Sequence, residues 1–260
     1  MKRYIAITGA SSGIGTAVAK AFARRGENLI LIARRGELLK ELKSEIAKFA
    51  NVDVVIELCD LSKQENALSL WRNLEKFELK ALINNAGFGD YNKVGEQNLD
   101  KITQMINLNI ISLVTLSTLF TKKYKDKDTQ LINISSIGGY KIVPNAVTYC
   151  ASKFFVSAFS EGLYHELAQD KQAKMQAKMQ AKVLAPAATK TEFGMVATSK
   201  ESCDYDKAFK KYHTSEQMAE FLLRLYDSHY CVGSVDRDSF EFSLSSPKFD
   251  YAIKYEPKDN

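Results

Sequence analysis

The sequence predicts an α/β chain, a doubly wound parallel sheet with helices packed on both faces. Three observations lead there. Short apolar runs recur along the chain, each closing on a glycine or a polar turn. Between them lie longer segments whose apolar residues return at helical spacing. No stretch rich in Pro, Gly or Ser interrupts this alternation, so the whole of 1–260 reads as a single domain.

Arg3 to Thr8 is the first run and ends at Gly9. From Gly13 to Arg25 the residues Ile14, Ala17, Val18, Ala21 and Phe22 mark one helical face, and Gly26 is a favoured residue just past a helix end. Asn28 to Ala33 follows as a second strand, giving strand, turn, helix and strand in about thirty residues, the unit from which parallel sheets are built. The alternation continues with a helix over 37–49, a strand over 52–58, a helix over 63–77 and a strand over 80–84. A long apolar helix is expected from about Leu99 to Tyr124, then a strand over 130–135, a helix from about Thr148 and a strand over 181–185. Thr214 and Gln217 have the spacing of a capping box, which starts a helix reaching about Ser228, and 232–244 reads as a final strand with its approach. The repeated Gln-Ala-Lys-Met from Gln172, continued in Gln180-Ala181-Lys182, consists of good helix formers and is expected to lengthen the preceding helix. Strands separated in this way need right-handed crossovers, and a ligand would lie at their carboxyl ends, where strand order reverses.

Composition narrows the function. Hydrophobic residues make up 45% of the chain and charged residues 26%, the balance of a globular domain. The longest apolar runs, such as Leu29 to Ala33, are far too short to cross a bilayer, and Met1 to Ile5 leads straight into a strand with no secretory pattern. A cytoplasmic protein with no membrane partner is expected. Cys59, Cys150, Cys203 and Cys231 are scattered with no CxxC spacing, so reduced thiols are expected rather than a zinc site or disulfides. His165, His213 and His229 form no ligand spacing, and no metal is expected. The net charge of +5 comes from 36 basic and 31 acidic residues, and the lysine-rich stretches at 122–127 and 171–182 lack interleaved aromatics, which argues against a nucleic-acid partner.

Three motifs carry chemistry. Thr8-Gly9-Ala10-Ser11-Ser12-Gly13-Ile14-Gly15 joins the first strand to the first helix, where glycines allow a tight turn and let backbone N–H groups approach a pyrophosphate. At the end of the second strand, where a ribose contact belongs, the chain has Arg34 and Arg35 in place of an acid. Fixed guanidinium donors match a 2′-phosphate, which favours NADP(H) over NAD(H), with Arg34 the better placed. Tyr149 and Lys153 are one helical turn apart, so an ammonium can lie near a phenol and favour its ionised form.

Taken together, these motifs resemble those of the short-chain dehydrogenase/reductase family in its compact single-domain branch. The glycine loop matches that family's TGxxxGIG, Asn84-Asn85-Ala86-Gly87 its NNAG, and Tyr149 to Lys153 its YxxxK. Ser136, thirteen positions before Tyr149, and Asn109 fall where its catalytic serine and asparagine do; the matches span residues 3 to about 193. The resemblance implies a Rossmann-like sheet, a cofactor half of about 1–130 and a catalytic and substrate half of about 131–260. It implies Ser136 as the donor to a substrate carbonyl, Tyr149 as acid and base, Lys153 on the nicotinamide ribose and lowering the tyrosine pKa, and Asn109 holding a water that links Lys153 to solvent. The neighbouring Ser135 would face the other side of its strand as a structural residue. Cofactor contacts implied are Gly9, Ser11, Ser12, Gly13, Ile14 and Gly15 in the loop, Arg34 and Arg35, Asp60 and Leu61 at the adenine, Asn85, Ala86 and Gly87, Tyr149 and Lys153, and Pro186, Thr189 and Thr191 around the carboxamide. The family's Pro-Gly is here Pro186-Ala187.

The function implied is hydride transfer between NADP(H) and a carbonyl or secondary alcohol of a small organic substrate. Its pocket would draw on 88–92, 137–143 and 192–213, with Phe88, Tyr91, Tyr140 and Phe193 making it apolar. The largely apolar helices carrying Ile110, Val114, Leu116, Phe120, Phe155 and Phe159 read either as core helices between sheet and loops or, as the resemblance implies, as a homodimer or homotetramer interface. Two other readings stand beside this one. A non-catalytic NADP(H)-binding regulator would have no need of the proton relay. A serine hydrolase using Ser11, in the GxSxG of Gly9 to Gly13, lacks an earlier strand to supply its oxyanion loop.

Overall fold

The computed structural model describes residues 2–174, 178–199, 201–202, 204–208 and 211–252. Cys203 and part of the Gln-Ala-Lys-Met repeat therefore lie outside the described residues. Eight strands form one sheet in the order β3-β2-β1-β4-β5-β6-β7-β8. β1 (Arg3–Thr8), β2 (Asn28–Ala33), β3 (Val54–Leu58), β4 (Glu78–Asn84), β5 (Gln130–Ile134), β6 (Gln180–Ala185) and β7 (Val232–Val235) run parallel. β8 (Phe242–Ser245) pairs antiparallel with β7, Val235 facing Phe242.

The strands read as continuous apolar runs because both faces are covered. In β1, Ile5 and Ile7 join the core under α1 (Gly13–Arg24), α2 (Gly36–Ala47) and α9 (Ser215–Asp227), while Tyr4 and Ala6 face the opposite core. That second core takes Leu70 and Trp71 from α3 (Gln64–Leu74), Phe120 and Tyr124 from α5 (Leu113–Tyr124), and Leu163 and Leu167 from α6 (Val147–Lys174). Asn98 caps α4 (Leu99–Ile106) by accepting from the Lys101 N–H. Two short helices, α7 (Phe193–Thr198) and α8 (Tyr205–Ala208), lie between β6 and α9.

Three expectations change. The segment 232–244 is a hairpin rather than one strand: Asp236 accepts the N–H groups of Asp238 and Ser239, and Phe240 turns at φ 62°. The helix expected over 99–124 is interrupted by a π-helical stretch, Asn107–Ser112, which shifts the backbone register beside Asn109. This span is long and apolar enough by composition alone to cross a membrane, with a mean hydropathy of 1.4, contrary to the expectation from shorter runs. Here it packs on the sheet through Leu116, Phe120 and Tyr124 and buries Asn109 and Ser117. The repeat lengthens α6 as far as Lys174, and its last residues open β6, the strand expected over 181–185. Lys182 is buried there, and its amine donates to the carbonyls of Leu225, Tyr226 and Ser228 at 3.0, 2.9 and 2.7 Å, closing the end of α9.

The other end of α9 has the expected capping box, with Thr214 Oγ1 accepting from Gln217 N–H and Gln217 Oε1 from Thr214 N–H. Thr214→Ala is expected to lower the unfolding free energy by ~1 kcal/mol, read as a lower urea midpoint with an unchanged slope.

Candidate active site

Strand order reverses at β1 and β4, and a cleft of about 700 Å³ opens at their carboxyl ends. The join between the two strands is made by Thr8. Its hydroxyl accepts the N–H groups of Asn85 and Ala86, both at 3.0 Å, while Asn85 Nδ2 donates to the carbonyls of Thr8 and Gly9 at 3.0 and 3.2 Å. The amide of Asn85 is thus committed to holding the glycine loop, and what it leaves to the cleft is its backbone. Gly9 turns at φ 67° with no room for a side chain, since a Cβ there would lie 2.8 Å from Ala86 Cα. A Cβ on Gly15 would overlap the Gly9 carbonyl oxygen. No side chain caps α1 and no acid lies in its first turn, so its N-terminal N–H groups are left facing the cleft. Shape and donors both fit a dinucleotide pyrophosphate.

At the end of β2 both arginines line the cleft, in different states. Arg34 is 62% exposed and stands 3.8 Å from Asp60. Arg35 is engaged: Nη2 pairs with Glu192 at 2.8 Å and Nε donates to Ser11 Oγ at 3.3 Å. This hydrogen bond and charge hold the Glu192 carboxyl below its usual range. Burial works to raise the Asp60 pKa, but the Ser62 hydroxyl and N–H and the charge of Arg34 outweigh it and hold that carboxyl low. Leu61 beside it is buried in the core under α3 while still edging the cleft.

The groups expected to carry the chemistry converge at the far end. Ser136 closes β5 and accepts the Gly138 N–H at 3.0 Å, leaving its hydroxyl beside the Tyr149 phenol. Ser135 turns the other way and bonds the Lys153 carbonyl and the Ser157 hydroxyl at 3.0 and 2.7 Å, a structural role. Lys153 is 5% exposed, and its amine donates to the Ile134 carbonyl at 2.9 Å. Asn109 Nδ2 donates to Phe88 O and Ser152 Oγ at 2.9 and 3.1 Å, and Oδ1 accepts the Phe88 N–H at 3.2 Å. Both Nδ2 protons are thus engaged, Oδ1 keeps a second lone pair, and the π-helical stretch shifts the main chain at the same residue.

Charge tuning departs from expectation in one respect. Burial pushes the Tyr149 phenol well above its ordinary pKa, Tyr91 adds to this, and only the hydrogen bond with Ser136 opposes it. Lys153 does not lower it in this state, because its amine is turned to Ile134 and lies 6.0 Å from the phenol ring centroid. Burial also depresses Lys153, to about 8.

Comparison with known proteins agrees with this geometry. A family model for short chain dehydrogenases matches residues 3–202. The chain belongs to the short-chain dehydrogenase family. A human relative, dehydrogenase/reductase SDR family member 11, is 30% identical over 224 residues, covering 83% of this chain and 82% of that one. The structure of a short-chain dehydrogenase from Sphingobium yanoikuyae in complex with NADPH superposes with a TM-score of 0.80 at 27% identity, covering 91% of this chain and 89% of that one. An alcohol dehydrogenase from Thermococcus sibiricus, complexed with 5-hydroxy-NADP, gives 0.76 at 25% identity over 90% and 96% of the two chains.

Elsewhere in the cleft of this short-chain dehydrogenase, Pro186 accepts the Ile137 N–H, Thr189 donates to Ala187 O at 3.0 Å, and Thr191 accepts the Phe193 N–H at 3.1 Å to start α7. Tyr140, expected in the pocket, is instead stacked on Phe249 with its hydroxyl bonded to Glu161. The 3-10 turn after Ser136 carries its ring to the β7 side of the domain, among Val183 and Val232. Val143, Val196, Tyr205 and Lys211 line the cleft from within the segments expected to build the pocket, whereas Arg237 and Phe240 line it from outside them. The last two had a local signal, the Asp236-Arg237-Asp238-Ser239 turn. Ser11 has Arg35 as its partner, and among the described residues no histidine bonds it.

The depressed Lys153 has a signed consequence. Its amine loses its proton near pH 8 in the native state and near 10.5 when exposed, so between these values the unfolded chain binds the extra proton and stability rises with pH. Wild type should therefore gain up to ~3 kcal/mol relative to Lys153→Met between about pH 7 and about pH 10.5, measured by urea unfolding at each pH.

Proposed function

We propose that this chain is an NADP(H)-dependent oxidoreductase that interconverts a carbonyl and a secondary alcohol on a small organic substrate. The observation that carries the reading is the meeting of the Ser136 and Tyr149 hydroxyls in the cleft with a buried lysine one turn further along the same helix. The glycine cradle, the uncapped N-terminus of α1 and the NADPH and NADP analogue held by the two structural relatives support a dinucleotide cofactor. Arg34, exposed at the end of β2 with no acid in its place, supports the 2′-phosphate form.

When bound, the cofactor supplies or accepts the hydride. Ser136 orients the substrate oxygen by a hydrogen bond. In the reducing direction Tyr149 gives that oxygen its proton, and a phenol kept neutral by burial is in the required form. The Lys153 ammonium stabilises the phenolate left behind; with a pKa of about 8 it can pass on a proton near neutral pH. Asn109 fixes the backbone at Phe88 against the catalytic helix through Ser152 and keeps the relay in register. We further propose a cytoplasmic enzyme that assembles as a homodimer or homotetramer through α5 and α6, where Phe155 is 41% exposed and stacks on Phe159.

Tyr149→Phe is expected to reduce kcat by about a thousandfold while the NADPH Kd changes less than about threefold, separating proton transfer from binding. A regulator that only binds cofactor would show no turnover in the wild type either. Calorimetric titration should show Arg34→Ala weakening NADPH by roughly tenfold to a hundredfold and NADH hardly at all. An equal loss for both would remove the 2′-phosphate assignment.

A further inference from the structure

Of the ten large apolar side chains that stand exposed among the described residues, five flank one end of the cleft: Val94, Leu99, Ile142, Val147 and Val196, from 45 to 79% exposed. They lie on three segments tied to one another. Thr148 Oγ1 donates to Gln97 Oε1 at 2.8 Å, joining the start of α6 to the loop that carries Val94 and leads into α4 at Leu99. The Lys101 amine donates to the Val196 carbonyl and the Ser199 hydroxyl, both at 2.9 Å, joining α4 to α7. Val143 and Ala146, next to Ile142 and Val147, and Val196 itself line the cleft, so this rim is continuous with its wall.

The wall leading from the rim to the phenol is aromatic. The Tyr149 ring lies 6.2 Å from Tyr91 and 5.4 Å from Phe193, and Gly89 makes space for that packing, since a Cβ on it would stand 2.8 Å from Phe193 Cζ. The buried charge at this end is satisfied internally, while Lys93, Glu96 and Lys141 stand exposed between the apolar rim residues. Asp90 is fully buried and takes Lys101 at 2.9 Å, Asn92 at 3.0 Å and Gln97 at 3.1 Å. Two cations that line the same cleft, Lys211 and Arg237, belong to the stretch before His213 and to the β7–β8 turn.

A monomer seldom exposes several large apolar side chains around one opening without a use for them. On the reading of this cleft as a carbonyl reductase site, we infer that its substrate is an uncharged ketone with an extended apolar body, the carbonyl at Ser136 and Tyr149 and the body running past Phe193 and out over Val196 and Ile142. A small polar ketone would leave this rim in water. An apolar body covers it, and each buried methylene is worth roughly fourfold in affinity.

The test follows NADPH oxidation with three ketones that differ in one feature at a time: methyl ethyl ketone, methyl octyl ketone, and the same long chain ending in a carboxylate. The inference expects kcat/KM for methyl octyl ketone to exceed that for methyl ethyl ketone by about a hundredfold, the gain from burying roughly half of its extra methylenes, with the carboxylate slower than its neutral counterpart. Val196→Asp should pull the long-to-short ratio down by about tenfold or more, and Ile142→Asp serves the same purpose if the first variant folds poorly. Turnover of all three ketones with no gain from chain length would overturn the inference and leave the reductase reading standing. Faster turnover of the carboxylate would also overturn it, assigning Lys211 and Arg237 as the substrate contacts instead. A loss of oligomer mass in Ile142→Asp by light scattering, with the selectivity ratio intact, would make the rim an interface between copies. No turnover of any ketone by protein that binds NADPH would sink the underlying reading itself.

Discussion

The cleft depends on the join between the ends of β1 and β4. One hydroxyl, Thr8 Oγ1, takes two consecutive backbone N–H groups, and one amide, Asn85, returns two hydrogen bonds to the carbonyls of Thr8 and Gly9. These bonds pull the backbone after β4 against the glycine loop so closely that neither Gly9 nor Gly15 can carry a Cβ. The amino end of α1, which follows that loop, has no side-chain cap, and its N–H groups border the cleft beside Thr191 and Glu192.

Polar groups inside the second core carry this precision to the catalytic helix. Asn84 donates to Ser117 of α5 and to Asn133 of β5, and Asn133 donates to Ser160 of α6, each within 3.0 Å. Ser135 adds bonds to Lys153 and Ser157 on the same helix. Apolar packing alone tolerates small slides of a helix over a sheet, whereas a buried hydrogen bond is lost when its partners move. Such a network fixes α6 at one register on β5, and the same register sets Tyr149 against Ser136.

Burial supplies the chemistry's tuning and imposes its cost. The same desolvation that keeps the phenol protonated makes the Lys153 ammonium expensive to hold. The Ile134 carbonyl offsets part of that cost by accepting from the amine, which is therefore turned away from the phenol. Across the cofactor end, the Arg35–Glu192 pair links the glycine loop to the start of α7. Arg35 thereby keeps the loop and α7 in contact, while Arg34 is left largely exposed.

Much of this was legible in the sequence, because it rests on local periodicity and short spacings. The order of strands and helices, the glycine loop, the four-residue interval from Tyr149 to Lys153 and the inward turn of Ser135 all follow from chain geometry over a few residues. Where the chain folds on itself over long separations, local pattern could not decide. Arg35 chooses Glu192 across 157 positions, Lys153 chooses the Ile134 carbonyl over the phenol, and Lys182 leaves a helix-forming repeat to close α9 from inside the sheet. The π-helical offset at Asn109 and the reversal into β8 are likewise settled by packing. Sequence sets which backbone shapes are cheap, and the folded core then selects among them by which polar groups it can leave satisfied.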